Sequence, residues 1–300
     1  MERKTNPFVS VIIPVYNDSE MLKTCLKALN NQTYPKNRYE VIIVDNGSDE
    51  NIKKIINNFS SVVITKENYP SLHAARNKGI SIAKGEVLAF TDADCIPSKD
   101  WIEKGVKRIL SLPNCGLVAG KIRLFFKNPK KKTAAELFEK ISAFPQKEYI
   151  KKWKFGATAN VFTTKKIIDD IGVLDGTLKS GADFEWGKRI FAAKYKLIYA
   201  NDVCVAHPAR YSLSQIYKKY RRITGGNYDL TMKKGYPLKK FTADLIRELV
   251  RLKDFSNIFL DKRLNGVNQR IKVFIVMLIV KYAKISERIR LRLGGESKRI

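Results

Sequence analysis

The sequence predicts an α/β fold: a mostly parallel central sheet with helices on both faces, followed by a basic helical extension. Three observations predict it. Short β-branched apolar runs alternate with segments of helical periodicity from Phe8 to Phe90, the pattern of a parallel sheet covered by helices. Two carboxylates, Asp92 and Asp94, follow the fourth apolar run, at the strand end where open α/β sheets bind ligands. Beyond residue 207 the pattern turns helical and strongly basic.

Residues 8–14 form the first strand, ended by Pro14. Asn17, Asp18 or Ser19 can cap the next helix, and Met21, Leu22, Cys25, Leu26 and Leu29 give it one apolar face. Residues 39–44 form the second strand, and Asp45-Asn46-Gly47-Ser48-Asp49 a turn. Ile52, Ile55, Ile56 and Phe59 mark a second helix, and residues 62–64 a third strand. A third helix covers residues 72–84, closed by Gly85. Residues 87–90 form the fourth strand, and Ser98 is placed to cap a helix from Lys99. The remainder is less regular. Residues 116–126 read as one or two strands, 128–132 as a basic turn and 134–143 as a helix. Small residues at 156–160 precede Val161-Phe162; helices follow at 167–171 and 184–193, then a strand at 196–200 and a strand-like run at 203–206. The basic helical segment after Pro208 is interrupted at Gly225-Gly226, Gly235 and Pro237.

With 44% hydrophobic residues in 300, the chain can bury a sizeable core. Its four cysteines form no Cys-x-x-Cys pair; this argues against a disulfide framework or zinc ribbon and suits a reducing, cytoplasmic compartment. The polar N-terminus has no signal-peptide layout. Net charge is +28, and residues 208–300 hold 23 Lys plus Arg against 7 Asp plus Glu, over half of the excess. Such a stretch serves as solvated surface, or meets an anionic membrane surface, nucleic acid or a phosphorylated substrate. No run reaches the ~20 apolar residues of a bilayer span. The nearest, residues 273–280, lies between Arg270 and Lys272 on one side and Lys281, Lys284, Arg288, Arg290 and Arg292 on the other. It reads equally as an interfacial helix on anionic lipid and as a buried helix.

Two carboxylates one residue apart repel unless something positive lies between them. A divalent cation shared with a diphosphate meets that need; a turn or helix cap is the plainer reading. No Gly-x-Gly-x-x-Gly follows the first strand and no Gly-Lys-Ser/Thr phosphate loop occurs, which disfavours a dinucleotide fold and a P-loop.

Five segments in order carry a family resemblance: Val9-Ser10-Val11-Ile12-Ile13-Pro14-Val15-Tyr16-Asn17; Val41-Ile42-Ile43-Val44-Asp45-Asn46-Gly47-Ser48; Ala74-Ala75-Arg76-Asn77-Lys78-Gly79; Asp92-Ala93-Asp94; and Gly181-Ala182-Asp183-Phe184-Glu185-Trp186. From residue 8 to about residue 226 the chain resembles the inverting family 2 glycosyltransferases of the GT-A fold. The resemblance implies a GT-A catalytic domain at 1–207, with a nucleotide-binding half (1–97) and an acceptor half (98–207); the charge pattern, not the resemblance, makes 208–300 a basic helical extension suited to a membrane surface. The resemblance also implies a nucleotide-sugar donor, UDP-linked, and a hydroxyl acceptor; the charge of the last third, rather than the resemblance, adds the expectation of a lipid-linked or polysaccharide intermediate as acceptor and a peripheral place at the cytoplasmic face of a membrane.

In similar enzymes the residue matching Asp45 accepts a hydrogen bond from uracil; here it is also a good turn residue. Tyr16, following Pro14, is placed to flank the base or to pack at the strand edge. Arg76 pairs with the diphosphate or forms a salt bridge, and Asn77 supports the backbone there. Asp92 lies nearer the ribose, and Asp94 ligates Mn²⁺ or Mg²⁺. His207 reads equally as a third ligand and as a structural histidine. Asp183 is the candidate general base or a helix cap; Ala182 stands where the family usually has Glu, which removes that residue's support. Glu185 is placed to bind acceptor or orient Asp183, and Trp186 to form a sugar platform or fill the core. Arg221 and Arg222, ahead of two glycines, resemble a loop that closes over the diphosphate. Two other readings are weaker. A nucleic-acid binder would use Tyr217, Tyr220 and Tyr228 among the basic residues, but no known module is present. A nucleotidyltransferase would need a glycine-rich first loop where this chain has Pro14-Val15-Tyr16-Asn17-Asp18.

Overall fold

The computed structural model describes residues 6–56, 59, 62–231, 235, 237–250 and 253–298. In chain order the elements are β1 (Val9–Val15), α1 (Ser19–Asn30), β2 (Tyr39–Asp45), α2 (Lys53–Ile56), β3 (Val62–Lys66), α3 (Leu72–Ile82), β4 (Val87–Thr91), β5 (Ile96–Pro97), α4 (Trp101–Leu110), β6 (Cys115–Phe125), α5 (Ala134–Ser142), α6 (Gln146–Glu148), β7 (Asn160–Thr164), α7 (Lys165–Ile171), α8 (Ala182–Ala192), β8 (Lys196–Pro208), α9 (Leu213–Thr231), α10 (Leu238–Val250), α11 (Lys253–Leu260) and α12 (Gly266–Arg292).

Eight strands form one sheet in the order β3-β2-β1-β4-β7-β6-β8-β5. The four N-terminal strands of that order run parallel. β7 is antiparallel to β4 and β6, and β5 to β8. The carboxyl ends of β1, β2 and β4 therefore share one edge. Pro14 does not end its strand: β1 continues to Val15, paired with Asp45. The Val15 carbonyl accepts from Asn46 N on the β2 side, so Pro14 faces the β4 side. There the ladder has already stopped at Ile12↔Phe90, and a missing N–H costs nothing.

Alternating side chains split the core. Val9, Val11, Ile13 and Val15 join Leu22, Cys25, Leu26 and Leu29 of α1 and Trp101, Ile102 and Val106 of α4 in one buried cluster. On the opposite face Ile12 and Val44 lie against α3 so closely that a Cβ on Gly79 would sit 2.5 Å from Ile12 Cγ2. Phe90 meets the Trp186 ring of α8 edge-on at 6.2 Å. Helices thus cover both faces, as the alternation predicts.

Several local expectations change. Ser98 does not cap α4; the helix begins at Trp101 after Asp100, and the Ser98 hydroxyl bonds the Asp100 carboxylate instead. The 116–126 segment, read as one or two strands, is the single strand β6, and the two strand-like runs at 196–206 are a single strand, β8.

Contacts divide the chain into two units. The first comprises Met1–Arg123, Phe144–Thr177 and Ala182–His207; the second Leu124–Ala143, Leu178–Gly181 and Pro208–Ile300. The second unit has its own core, where Leu137 and Phe138 of α5, Ile216 of α9 and Val273, Val276, Met277 and Val280 of α12 pack together. Within it Glu139, fully buried, takes Lys219 at 2.6 Å and Arg210 at 3.2 Å. Burial pushes its carboxyl up, but the two cations outweigh that and hold it below its ordinary range. Gly225-Gly226 do not break the helix here; they lie inside α9. Gly226 is needed because its backbone approaches that of Ser180 with no room for a Cβ.

Gly79 offers a test of the α3 face. Alanine would gain about 1 kcal/mol of helix propensity, but Ile12 is branched at Cβ and wholly buried, so overpacking of ~1–3 kcal/mol dominates. Gly79→Ala is expected to lower the urea midpoint of unfolding with an unchanged m value.

Candidate functional site

The first unit gathers Tyr16, Asp45, Asp92 and Asp94 at the carboxyl ends of β1, β2 and β4. After β4 the chain turns at Ala93-Asp94, with Cys95 N donating to the Asp92 carbonyl at 3.1 Å, and Ala93 and Cys95 are buried while Asp92 and Asp94 stay half-exposed. Each has a different partner. Arg76, halfway along α3 and 3% exposed, forms a salt bridge from Nη2 to Asp92 Oδ1. On the other flank, His207 of β8, 4% exposed, places Nε2 3.3 Å from Asp94 Oδ2, and the Phe144 ring packs on its imidazole at 4.7 Å.

Of the two sequence readings of Arg76, diphosphate pairing or a salt bridge, the structure shows the salt bridge, buried rather than at the surface. Arg76 is buried, its Nη1 reaches the Leu72 carbonyl at 3.3 Å, and Asp92 engages its guanidinium, because close packing of α3 on Ile12 and Val44 sinks this turn of the helix. Asn77, next in the chain, grips the backbone of Leu174 through both amide atoms, at 2.7 and 3.2 Å.

Asp94, Cys95 and His207 bring one potential ligand atom each within 4.8 Å of one another. The thiol is a poor member of that set. Burial first, then the charges of Asp94 and Asp92, push Cys95 well above its ordinary pKa, and only the thiolate is a strong ligand. The remaining donors, a carboxylate oxygen and an imidazole nitrogen, fit a cation that takes oxygen and nitrogen.

Asp45 ends β2 with Oδ1 accepting from Ser48 N at 2.9 Å; the turn reading holds, and it fixes the carboxylate's orientation. Tyr16 is 46% exposed just past β1. Asp183 stands half-exposed in the first turn of α8, with Oδ1 accepting from Phe184 N at 2.9 Å. One turn on, Trp186 is fully buried, donates to the Gly172 carbonyl at 3.0 Å and meets Phe90. Trp186 is thus core and no sugar platform. Glu185 accepts from Arg189 at 2.7 Å, which braces the first two turns of α8. The expected closing loop at residues 221–226 is helix: Arg221 and Arg222 lie in α9, and within the second unit Arg221 pairs with Glu287 of α12 at 2.7 Å.

Two residues go beyond the sequence reading. Asp18 follows β1 on the same edge and makes no side-chain capping bond. Burial, then Asp94 and Glu50, push its carboxyl up to about 6. The signal was present: Asp18, Asp45 and Asp92 each follow one of three neighbouring parallel strands. Asn160, fully buried, accepts from Trp101 Nε1 at 2.9 Å and donates to the carbonyls of Lys121 and Val203 at 2.9 and 3.0 Å. It sits opposite Thr91 in the β4–β7 ladder and ties down the strand that carries the acidic pair. Nothing in its local sequence marks that role.

Comparison with known proteins agrees with this geometry. Residues 10–171 match the family model Glycosyl transferase family 2. A relative from Haloferax volcanii, glycosyltransferase AglE, is 36% identical over 285 residues, covering 93% of this chain and 92% of its own. A second, from Methanococcus voltae, is 26% identical and covers 76% of this chain and 75% of its own; it is a dolichyl N-acetyl-α-D-glucosaminyl phosphate 3-β-D-2,3-diacetamido-2,3-dideoxy-β-D-glucuronosyltransferase. Among solved structures, mannosyltransferase PcManGT from Pyrobaculum calidifontis, in complex with GDP-Man and Mn²⁺, superposes with a TM-score of 0.64 at 16% identity over 98% of this chain and 89% of its own. Residues 1–349 of TarS from S. aureus with UDP give a TM-score of 0.52 at 15% identity over 97% of this chain and 93% of its own. These two establish the GT-A-like fold.

Asp18 generates a pH prediction. Its folded pKa, about 6, lies above the ordinary 3.8, so the folded state binds this proton more tightly than the unfolded one. The stability it confers is present at low pH and is lost as pH rises through about 6. In chelator-treated protein, Asp18→Asn is expected to melt above wild type at alkaline pH, the difference vanishing below about pH 4.

Proposed function

Because the chain belongs to glycosyl transferase family 2, we propose that it moves a sugar from a UDP-sugar to a hydroxyl of a lipid-linked acceptor, with inversion at the anomeric carbon. The observation that carries this reading is the division of the acidic pair, Asp92 to buried Arg76 and Asp94 to buried His207.

Asp94 and His207 would hold Mn²⁺ or Mg²⁺, which when bound supplies positive charge against the departing diphosphate. Asp92, oriented by Arg76, receives the ribose, so Arg76 serves the nucleotide through Asp92. Asp45, steadied by its bond from Ser48 N, accepts from the uracil ring, and the exposed Tyr16 ring flanks it. Pro14 keeps the β4 side of β1 free of further pairing where the donor enters. Asp183 takes the proton of the acceptor hydroxyl as its oxygen bonds the anomeric carbon and the bond to the UDP oxygen breaks. The Arg189–Glu185 pair and the buried Trp186 hold α8 so that Asp183 is presented in a fixed orientation. The acceptor class is extended from the Methanococcus relative, whose name specifies a dolichyl phosphate-linked sugar.

The test is release of free nucleotide by purified protein with Mn²⁺ and a panel of UDP- and GDP-sugars. Asp183→Asn is expected to lower kcat by about 10²–10⁴-fold with UDP affinity unchanged. Asp94→Ala is expected to lose Mn²⁺-stimulated UDP binding together with turnover. Full turnover in Asp183→Asn, or a UDP affinity that falls in step with kcat, contradicts the assignment of the base.

A further inference from the structure

Helix α12 carries two apolar stripes on opposite sides. One is the packed stripe: Val273, Val276, Met277, Val280, Ala283 and Leu291 are all buried in the second unit. The other is bare. Val267, Ile271, Ile275, Leu278, Tyr282 and Ile289 recur at intervals of three, four and seven, so they share one face, and each is 41–67% exposed. Arg270, Lys272, Arg288 and Arg292 border this bare stripe on the helix surface. The sequence left this segment open between a buried helix and an interfacial one; in the structure one side of α12 is buried and the opposite side is exposed.

The bare face has three conceivable neighbours. It does not thread a bilayer, since among the described residues no helix is long and apolar enough to cross a membrane. Its spacing would suit a seam between two copies, but coiled-coil seams are bordered by charges of opposite sign. Here the border is cationic, and the one acidic residue of α12, Glu287, is 1% exposed and engaged by Arg221 and Arg290. Two such faces brought together would set cation against cation. An anionic lipid surface satisfies both features, taking the apolar stripe at the acyl boundary and the basic border at the headgroups.

We infer that α12 is an interfacial docking helix, lying along an anionic bilayer through the stripe from Val267 to Ile289. At 1.5 Å rise per residue, the helix lies along about 40 Å of membrane surface. The inference stands on α12 alone and is independent of the donor chemistry.

The experiment is flotation of the full chain with vesicles of phosphatidylcholine alone and of phosphatidylcholine mixed with phosphatidylglycerol, at low and high salt. Preferential binding to the anionic vesicles, weakened by salt, is expected. Ile275→Glu combined with Leu278→Glu is expected to cut that binding about tenfold or more. These positions lie outside the packed stripe, so circular dichroism and nucleotide release in detergent solution remain as in wild type, which separates loss of docking from loss of catalysis. Lys272→Glu with Arg288→Glu is expected to abolish the preference for anionic lipid. Three outcomes overturn the inference: equal binding by wild type and the stripe variant, no vesicle binding at all, or a concentration-dependent dimer in light scattering that the stripe variant dissolves in the absence of lipid binding.

Discussion

Two carboxylates with one residue between them repel each other at a strand end, and the first unit is organised around giving each a different partner. Asp92 receives Arg76 from α3, and Asp94 receives His207 from β8. A buried guanidinium deprived of its carboxylate costs ~3–5 kcal/mol, so the Asp92 pair also secures the docking of α3. That helix reaches its depth only because Gly79 has no side chain against Ile12. On the other side Asn160 fastens β4's neighbour to α4 and to the backbones of Lys121 and Val203. Position, charge and packing at the site are therefore one arrangement.

The site is an acidic pocket of field in a basic protein. Asp18 is pushed up to about 6 by burial and by Asp94 and Glu50. Cys25 and Cys95 are pushed up by burial first, then by Asp94 and Asp92, and are held as thiols. These three groups share burial and nearby carboxylates as causes, and neighbouring carboxylates are the condition that favours a divalent cation. The chain's +28 net charge lies elsewhere, much of it beyond residue 207.

The strands and helices up to Asp94 were legible because hydrophobic periodicity reports local geometry directly. Fold class and family followed from five short segments whose backbone roles are local: strand ends, turns and a helix start. What escaped was set by tertiary packing. Nothing near Arg76 in the chain says that α3 sinks far enough to bury it. Gly225-Gly226 read as a break because glycine disfavours helices in isolation, whereas α9 needs Gly226 for its approach to Ser180. Trp186 left both readings open, and only its contact with Phe90 and bond to Gly172 decide for core. Asp18 was seen as a cap because its neighbours in space, Asp94 and Glu50, lie far from it in sequence.

Manganese binding followed by electron paramagnetic resonance, with UDP present, tests the division of the acidic pair most directly. The account predicts that Asp94→Asn abolishes the bound-manganese signal, whereas Asp92→Asn, checked for its fold, keeps it with at most a modest loss. Equal loss in both variants, or full binding in Asp94→Asn, would contradict the assignment of Asp94 to the cation and Asp92 to Arg76.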